Sequence, residues 1–103
     1  MAQSNIATSV SVFEQIAVRI IQEQEKIIGP IAVEQAQAVK GLKVDWSESE
    51  HSVEFGGDTT QVINELISRY SELFGRLSVE VCRSASSDLI SQLSDDQIPK
   101  ILT

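Results

Sequence analysis

The sequence has little of the chemistry that most often marks a function. Its 103 residues include one cysteine, one histidine, one tryptophan and one tyrosine. The lone Cys82 cannot form a disulfide within the chain, so nothing indicates an oxidising compartment. The first residues lack the positive segment and apolar run of a signal peptide, and no stretch approaches the ~20 apolar residues of a membrane span. We therefore expect a cytoplasmic protein that does not enter a membrane.

Basic residues are also scarce. Eight Lys and Arg face 15 Asp and Glu, which gives a formal net charge of −7. A field of that sign repels phosphate groups, and no run of basic residues offsets it locally. We expect binding neither to nucleic acid nor to an anionic membrane surface, although an acidic surface leaves room for a basic protein partner.

Catalytic and metal-binding patterns are missing as well. His51 is surrounded by carboxylates, but there is neither a calcium-binding loop nor a second histidine at metal-binding spacing. Those carboxylates belong to Asp45, Glu48, Glu50 and Glu54. A charged hairpin tip explains the cluster better than a metal site does. Cys82 lies among apolar helical residues, where a thiol behaves as a small inert hydrophobe. We expect no catalytic residue, no metal and no cofactor.

An amphipathic helix is predicted from Thr8 or Ser9, after a disordered segment at residues 1–7. Apolar residues recur at three- and four-residue spacing along it and beyond, which places them on one core-facing side. They are Phe13, Ile16, Ala17, Ile20, Ile27, Ile28 and Ile31. Gly29 and Pro30 interrupt the pattern, so the helix either kinks there or a second helix begins with Pro30. The second helical stretch runs to Gly41, which suits a left-handed end.

A β-hairpin follows. Leu42, Val44 and Trp46 alternate with polar residues, and Val53 and Phe55 do so after a polar turn at residues 47–52. This period-two pattern predicts two strands with one apolar face that packs on the helices or on another subunit.

The strongest pattern lies in residues 60–84, which are predicted to form one long helix capped by Asp58 or Thr59. A strip of small residues runs beside its apolar side with spacings of three and four. The strip consists of Ser68, Ser71, Gly75, Ser78, Cys82 and Ala85. Either these residues merely border the surface, or they let another helix approach closely. The pairs Glu65–Arg69 and Glu72–Arg76 support the helix. A short C-terminal helix is predicted after Ser94.

Residues 27–32, Ile-Ile-Gly-Pro-Ile-Ala, resemble a segment of a small helical module at the ends of some bacterial signalling proteins. In that module an amphipathic helix, a Gly-Pro break and a second helix precede further helices. The resemblance covers about a dozen residues, carries no catalytic residue, and implies a regulatory or adaptor role.

Together these patterns predict a single domain that is α+β and mainly α. The expected function is a non-enzymatic interaction module that forms a homodimer and binds an unknown partner protein through an exposed apolar or acidic surface. The expected interface is the small strip together with Trp46 and Phe55. The alternative is a sensor that binds a small ligand between Trp46, Phe55 and the helices.

Overall fold

The first helix, α1 (Asn5–Ile28), forms the centre of the fold. The computed structural model describes the backbone of residues 5–93 and the side chains of residues 12–93. One side of α1 is buried from Val12 to Gln24, as its periodicity predicts for this part of the helix. The buried residues are Val12, Phe13, Ile16, Ala17, Ile20, Ile21 and Gln24. The helix starts three residues before Thr8, so residues 5–7, predicted to be disordered, lie within it; residues 1–4 are outside the described part.

Gly29 and Pro30 end α1 and start a second helix, α2 (Ile31–Gln37). The Gly29 N–H donates to the carbonyl of Glu25, and Gly29 has a φ of +77° that favours glycine. Pro30, with φ −57°, precedes the first residue of α2. Of the two alternatives, a second helix is therefore confirmed.

The predicted hairpin is present and folds back on its own chain. Strands β1 (Leu42–Trp46) and β2 (His51–Phe55) pair antiparallel, with Val44 opposite Val53 and Trp46 opposite His51. The turn is shorter than predicted, because His51 and Ser52 belong to β2. β1 contacts α2 and β2 contacts α1, so the helices cover the apolar face of the sheet.

The long helix predicted over residues 60–84 is wrong. Two helices, α3 (Thr59–Phe74) and α4 (Arg76–Ile90), occupy this segment, and Gly75 separates them with φ +89° and ψ −178°. That backbone region is open almost only to glycine. Asp58 caps α3 as predicted, with its carboxylate accepting a hydrogen bond from the Gln61 N–H at 3.1 Å.

The break lets α4 return along α1 in the antiparallel direction. Gln24 of α1 contacts Ser78 and Cys82 of α4, and Arg19 contacts Asp88. A straight rod could not cover the apolar side of α1 in this way, because its second half would point away from the molecule. The architecture is thus α+β and mainly helical, as predicted. The predicted C-terminal helix after Ser94 lies outside the described residues.

The core consists of apolar side chains from every helix and strand. Tyr70, Ile63, Leu66 and Ile67 of α3 are fully buried in it. Within the described part of the chain, no helix combines the length and the hydrophobicity needed to cross a membrane.

Candidate functional site

The two glycine breaks lie together at one end of the molecule. The Tyr70 hydroxyl, near the end of α3, donates to the carbonyl of Ala32 at the start of α2, with an O–O distance of 2.6 Å. The Gln24 amide, near the end of α1, donates to the carbonyl of Ser78 at the start of α4, with an N–O distance of 3.0 Å. Both contacts are buried. The ends of α1 and α3 and the starts of α2 and α4 are therefore held side by side.

This end carries the large apolar side chains that the described part of the chain exposes. Ile27 is 62% exposed, Ile31 38%, Leu73 55% and Leu77 77%. Each lies two residues before or after Gly29 or Gly75. We call these four residues the apolar end surface. Full burial of such a side chain contributes ~1.5–3 kcal/mol, so a partner that covers this end gains a substantial hydrophobic term.

Ile27 and Ile31 were predicted to face the core, and this prediction is wrong. The periodic pattern treats them as a continuation of the buried side of α1. However, Gln24 already lies opposite Ser78, and α4 begins only two residues before Ser78. The last turn of α1 therefore extends beyond the helix that covers it, and the apolar side of that turn faces outward.

Charges of both signs lie around the apolar end surface. Lys26, next to Ile27, pairs with Glu23 at a Nζ–Oε2 distance of 2.8 Å. Glu72 and Arg76 are exposed and lie next to Leu73 and Leu77 in the chain. These four charged residues carry two positive and two negative charges, whereas the whole chain has a net charge of −7. An approaching copy of the same end therefore meets opposite charges as well as like charges.

The predicted strip of small residues packs partly within the chain. Ser78 and Cys82 are buried under α1, where the Gln24 Nε2 donates to the Ser78 carbonyl and to the Cys82 Sγ at 3.4 Å. Ser68, Ser71 and Ala85 are half-buried. Ser78 and Cys82 therefore lie against another helix, α1 of the same chain. Contact of a second chain with the strip stays a prediction.

Burial makes the Cys82 thiol a weak acid. Removal from water raises its pKa to about 11, although the Gln24 hydrogen bond opposes the shift. The thiol is therefore protonated at neutral pH and is a poor nucleophile. Burial likewise raises the pKa of the Tyr70 hydroxyl, with smaller contributions from the charges of Cys82 and Glu25.

The other two predicted interface residues, Trp46 and Phe55, are half-buried on the apolar face of the hairpin. The Trp46 Nε1 donates to Glu25 at 3.3 Å. The Trp46 ring also stacks on the His51 ring, with centroids 4.0 Å apart and planes 4° apart. Trp46 therefore fixes the end of the hairpin on α1. Its contact with a partner stays a prediction.

His51 is held by this packing and not by carboxylates. Its Nδ1 lies 3.0 Å from the Gln22 Nε2 of α1. Asp45 points to the opposite face of the hairpin, because side chains alternate along a strand. Among the residues described, no three His, Cys, Asp or Glu side chains come together as metal ligands would.

An open groove of about 330 Å³ runs between α1 and β2. Its lining includes Val18, Arg19, Gln22, His51 and Val53, and does not include Trp46 or Phe55. A ligand pocket between Trp46, Phe55 and the helices, the alternative function, therefore stays a prediction.

Sequence patterns missed the apolar end surface, although one signal pointed to it. Glycine in the middle of a helix lowers the stability of that helix. Gly29 and Gly75 each have a large apolar residue two positions before them and another two positions after them in the sequence. No family model, curated protein or solved structure matches the chain, so the roles of these residues rest on the geometry alone.

Proposed function

We propose that this chain is a non-enzymatic protein-interaction module that forms a homodimer through its apolar end surface. The observation that carries the proposal is the exposure of Ile27, Ile31, Leu73 and Leu77, each two residues from a helix break, on helix ends that two buried hydrogen bonds hold together. Exposed apolar residues are common when scattered, whereas a contiguous group often marks an interaction site.

The charges around this surface favour a second copy as the partner. In a two-fold symmetric interface the same residues meet from both sides. The exposed Glu72 and Arg76 of one copy then lie within reach of Arg76 and Glu72 of the other. Such pairs at the rim contribute little to affinity, but they set the orientation of the two chains.

A bacterial regulatory or adaptor role belongs to the same proposal. It is supported by the resemblance of residues 27–32 to a signalling module, and this segment forms part of the apolar end surface. A cytoplasmic location is also part of the proposal. The single cysteine supports it, since one thiol cannot form a disulfide within the chain and needs no oxidising compartment.

The test is the Leu77→Asp variant, studied by size-exclusion chromatography with light scattering over a wide concentration range. Because the substitution places a charge in the proposed interface, we expect dimerisation to weaken at least roughly tenfold. The control is Gln61→Glu, which adds the same charge at an exposed position in the first turn of α3, far from Leu73. It should dimerise as the original chain does.

Circular dichroism should show the same helix content for all three chains. A monomer at every concentration of the original chain would refute the proposal. Equal dimerisation of Leu77→Asp and the original chain would refute the assignment of the surface.

A further inference from the structure

Gly75 is the whole connection between α3 and α4. The Gly75 N–H donates to the Ser71 carbonyl at 2.8 Å and closes α3, while the Ser78 N–H donates to the Gly75 carbonyl at 3.0 Å and opens α4. A Cβ atom added at Gly75 would meet nothing within 4 Å. The bend therefore has room for a side chain at its centre. The conformation of one glycine separates the two helices, and the packing of α4 on α1 and α3 holds them in this arrangement.

The sequence on both sides of the bend is that of one continuous helix. The small strip keeps its spacing of three and four through Gly75, and Glu72 and Arg76 have the i,i+4 spacing of a helical ion pair. In the described part of the chain the ion pairs are Arg19–Asp88, Lys26–Glu23 and Arg83–Glu80, and none joins Glu72 to Arg76. Straightening would pair Glu72 with Arg76 within one helix, in place of the pairing between copies, and would let the N–H groups of residues 76–78 reach the carbonyls of residues 72–74.

A straight helix does not fit within one subunit. From Thr59 to Ile90 it would be about 48 Å long at 1.5 Å per residue, whereas the longest dimension of the molecule is 40 Å. If α3 and α4 become continuous, α4 must leave the α1 of its own chain. The buried side of α1 then needs another α4, and a second copy supplies one.

We infer that two copies of this chain exchange α4 by straightening at Gly75, so that each α4 packs on the α1 of the other copy. Every α1–α4 contact is restored between chains, including the Arg19–Asp88 ion pair at 2.8 Å and the Gln24–Ser78 hydrogen bond. The exchanged surface includes the buried Cys82, Ser86 and Leu89, which is the kind of core packing found in obligate dimers.

The exchange also accounts for the exposure of two residues of the apolar end surface. Leu73 and Leu77 flank the point at which the two straightened helices would cross, so the copies would bury these residues against each other. This inference rests on the proposed self-association and specifies its form.

The test uses a variant with three substitutions, Arg19→Cys, Asp88→Cys and Cys82→Ala. A short bismaleimide reagent joins the two introduced thiols and thereby links α1 to α4. The replaced side chains are 40% and 70% exposed, so both thiols are accessible. An exchanged dimer yields a covalent dimer on a denaturing gel, and an unexchanged one yields a cross-linked monomer. The control variant, Gln22→Cys/His51→Cys, links α1 to β2. Because these two elements do not exchange between copies, it should always yield a cross-linked monomer.

Gly75→Ala should raise the covalent-dimer fraction of the first pair roughly tenfold, because alanine is strained at φ +89° and fits a continuous helix. Gly41→Ala introduces similar strain at φ +84° between α2 and β1, outside the apolar end surface, and should leave this fraction unchanged. Cross-linked monomers alone, in samples where light scattering detects dimers, would overturn the exchange and leave the proposed dimer standing. Absence of dimers in every chain would overturn both.

Discussion

At the scale of single residues, Cys82 and Tyr70 have the most altered chemistry. Both lie in the core, and burial disfavours their ionised forms. The unfolded chain keeps the ordinary pKa of the Cys82 thiol, near 9.0, while the folded chain has a value of about 11. Between these values the unfolded state loses a proton that the folded state retains, so stability falls as the pH rises.

We expect the protein to lose stability in mild alkali and Cys82→Ala to reduce that loss. From pH 8 to pH 10, ionisation of the unfolded thiol alone should lower the free energy of unfolding by ~1.4 kcal/mol. Urea titrations at the two pH values measure the difference for each chain. Tyr70→Phe is the matched control, because it keeps the thiol and should keep this part of the loss. An equal pH dependence of Cys82→Ala and the original chain would contradict the assignment.

At the scale of helices and strands, Gly41 fixes the entry into the hairpin. Its φ is +84°, and a Cβ atom there would lie 3.1 Å from the Val62 Cγ2 of α3. Its carbonyl also accepts a hydrogen bond from the Gly56 N–H at 2.7 Å, at the base of the two strands. Left-handed backbone and close packing therefore coincide at this position.

Gly41→Ala should lower the free energy of unfolding by ~1–3 kcal/mol, because it adds backbone strain to a tight contact. Gly57→Ala is the control, since Gly57 has no positive φ and a Cβ there would meet nothing within 4 Å. It should change stability by less than ~1 kcal/mol in either direction. Chemical denaturation of the two variants gives the comparison, and similar losses for both would contradict the role of Gly41.

The elements that sequence patterns predicted well are those with local causes. The Gly29-Pro30 break, the alternation in the hairpin and the Asp58 cap each depend on a few neighbouring residues. The bend at Gly75 could not be predicted in this way, because its sequence context is helical on both sides. It arises from the need to cover α1, which lies about sixty residues earlier in the chain. The exposure of Ile27 and Leu77 follows from that bend and was missed for the same reason.

At the scale of the whole molecule, the net charge of −7 acts against self-association. Two copies repel each other over distances of about a Debye length, and salt screens this repulsion. The apolar term that favours the dimer does not weaken with moderate salt.

The proposed dimer should therefore tighten as the salt concentration rises from low to physiological values. Sedimentation or light scattering at fixed protein concentration measures this trend. A complex with a basic partner would show the opposite trend, because screening weakens attraction between unlike charges. If dimerisation weakens at higher salt, ion pairs and not the apolar end surface would be the main cause of dimer formation.

The packing of α1 on α4 also determines when the protein can fold during its synthesis. The ribosome releases α1 long before it releases α4, so the nascent chain carries the apolar side of α1 uncovered while more than fifty further residues are added. During that interval, α1 of one nascent chain is open to the α4 of a completed neighbour on the same messenger RNA. Translation of several copies side by side would thus favour pairing between chains over closure within one.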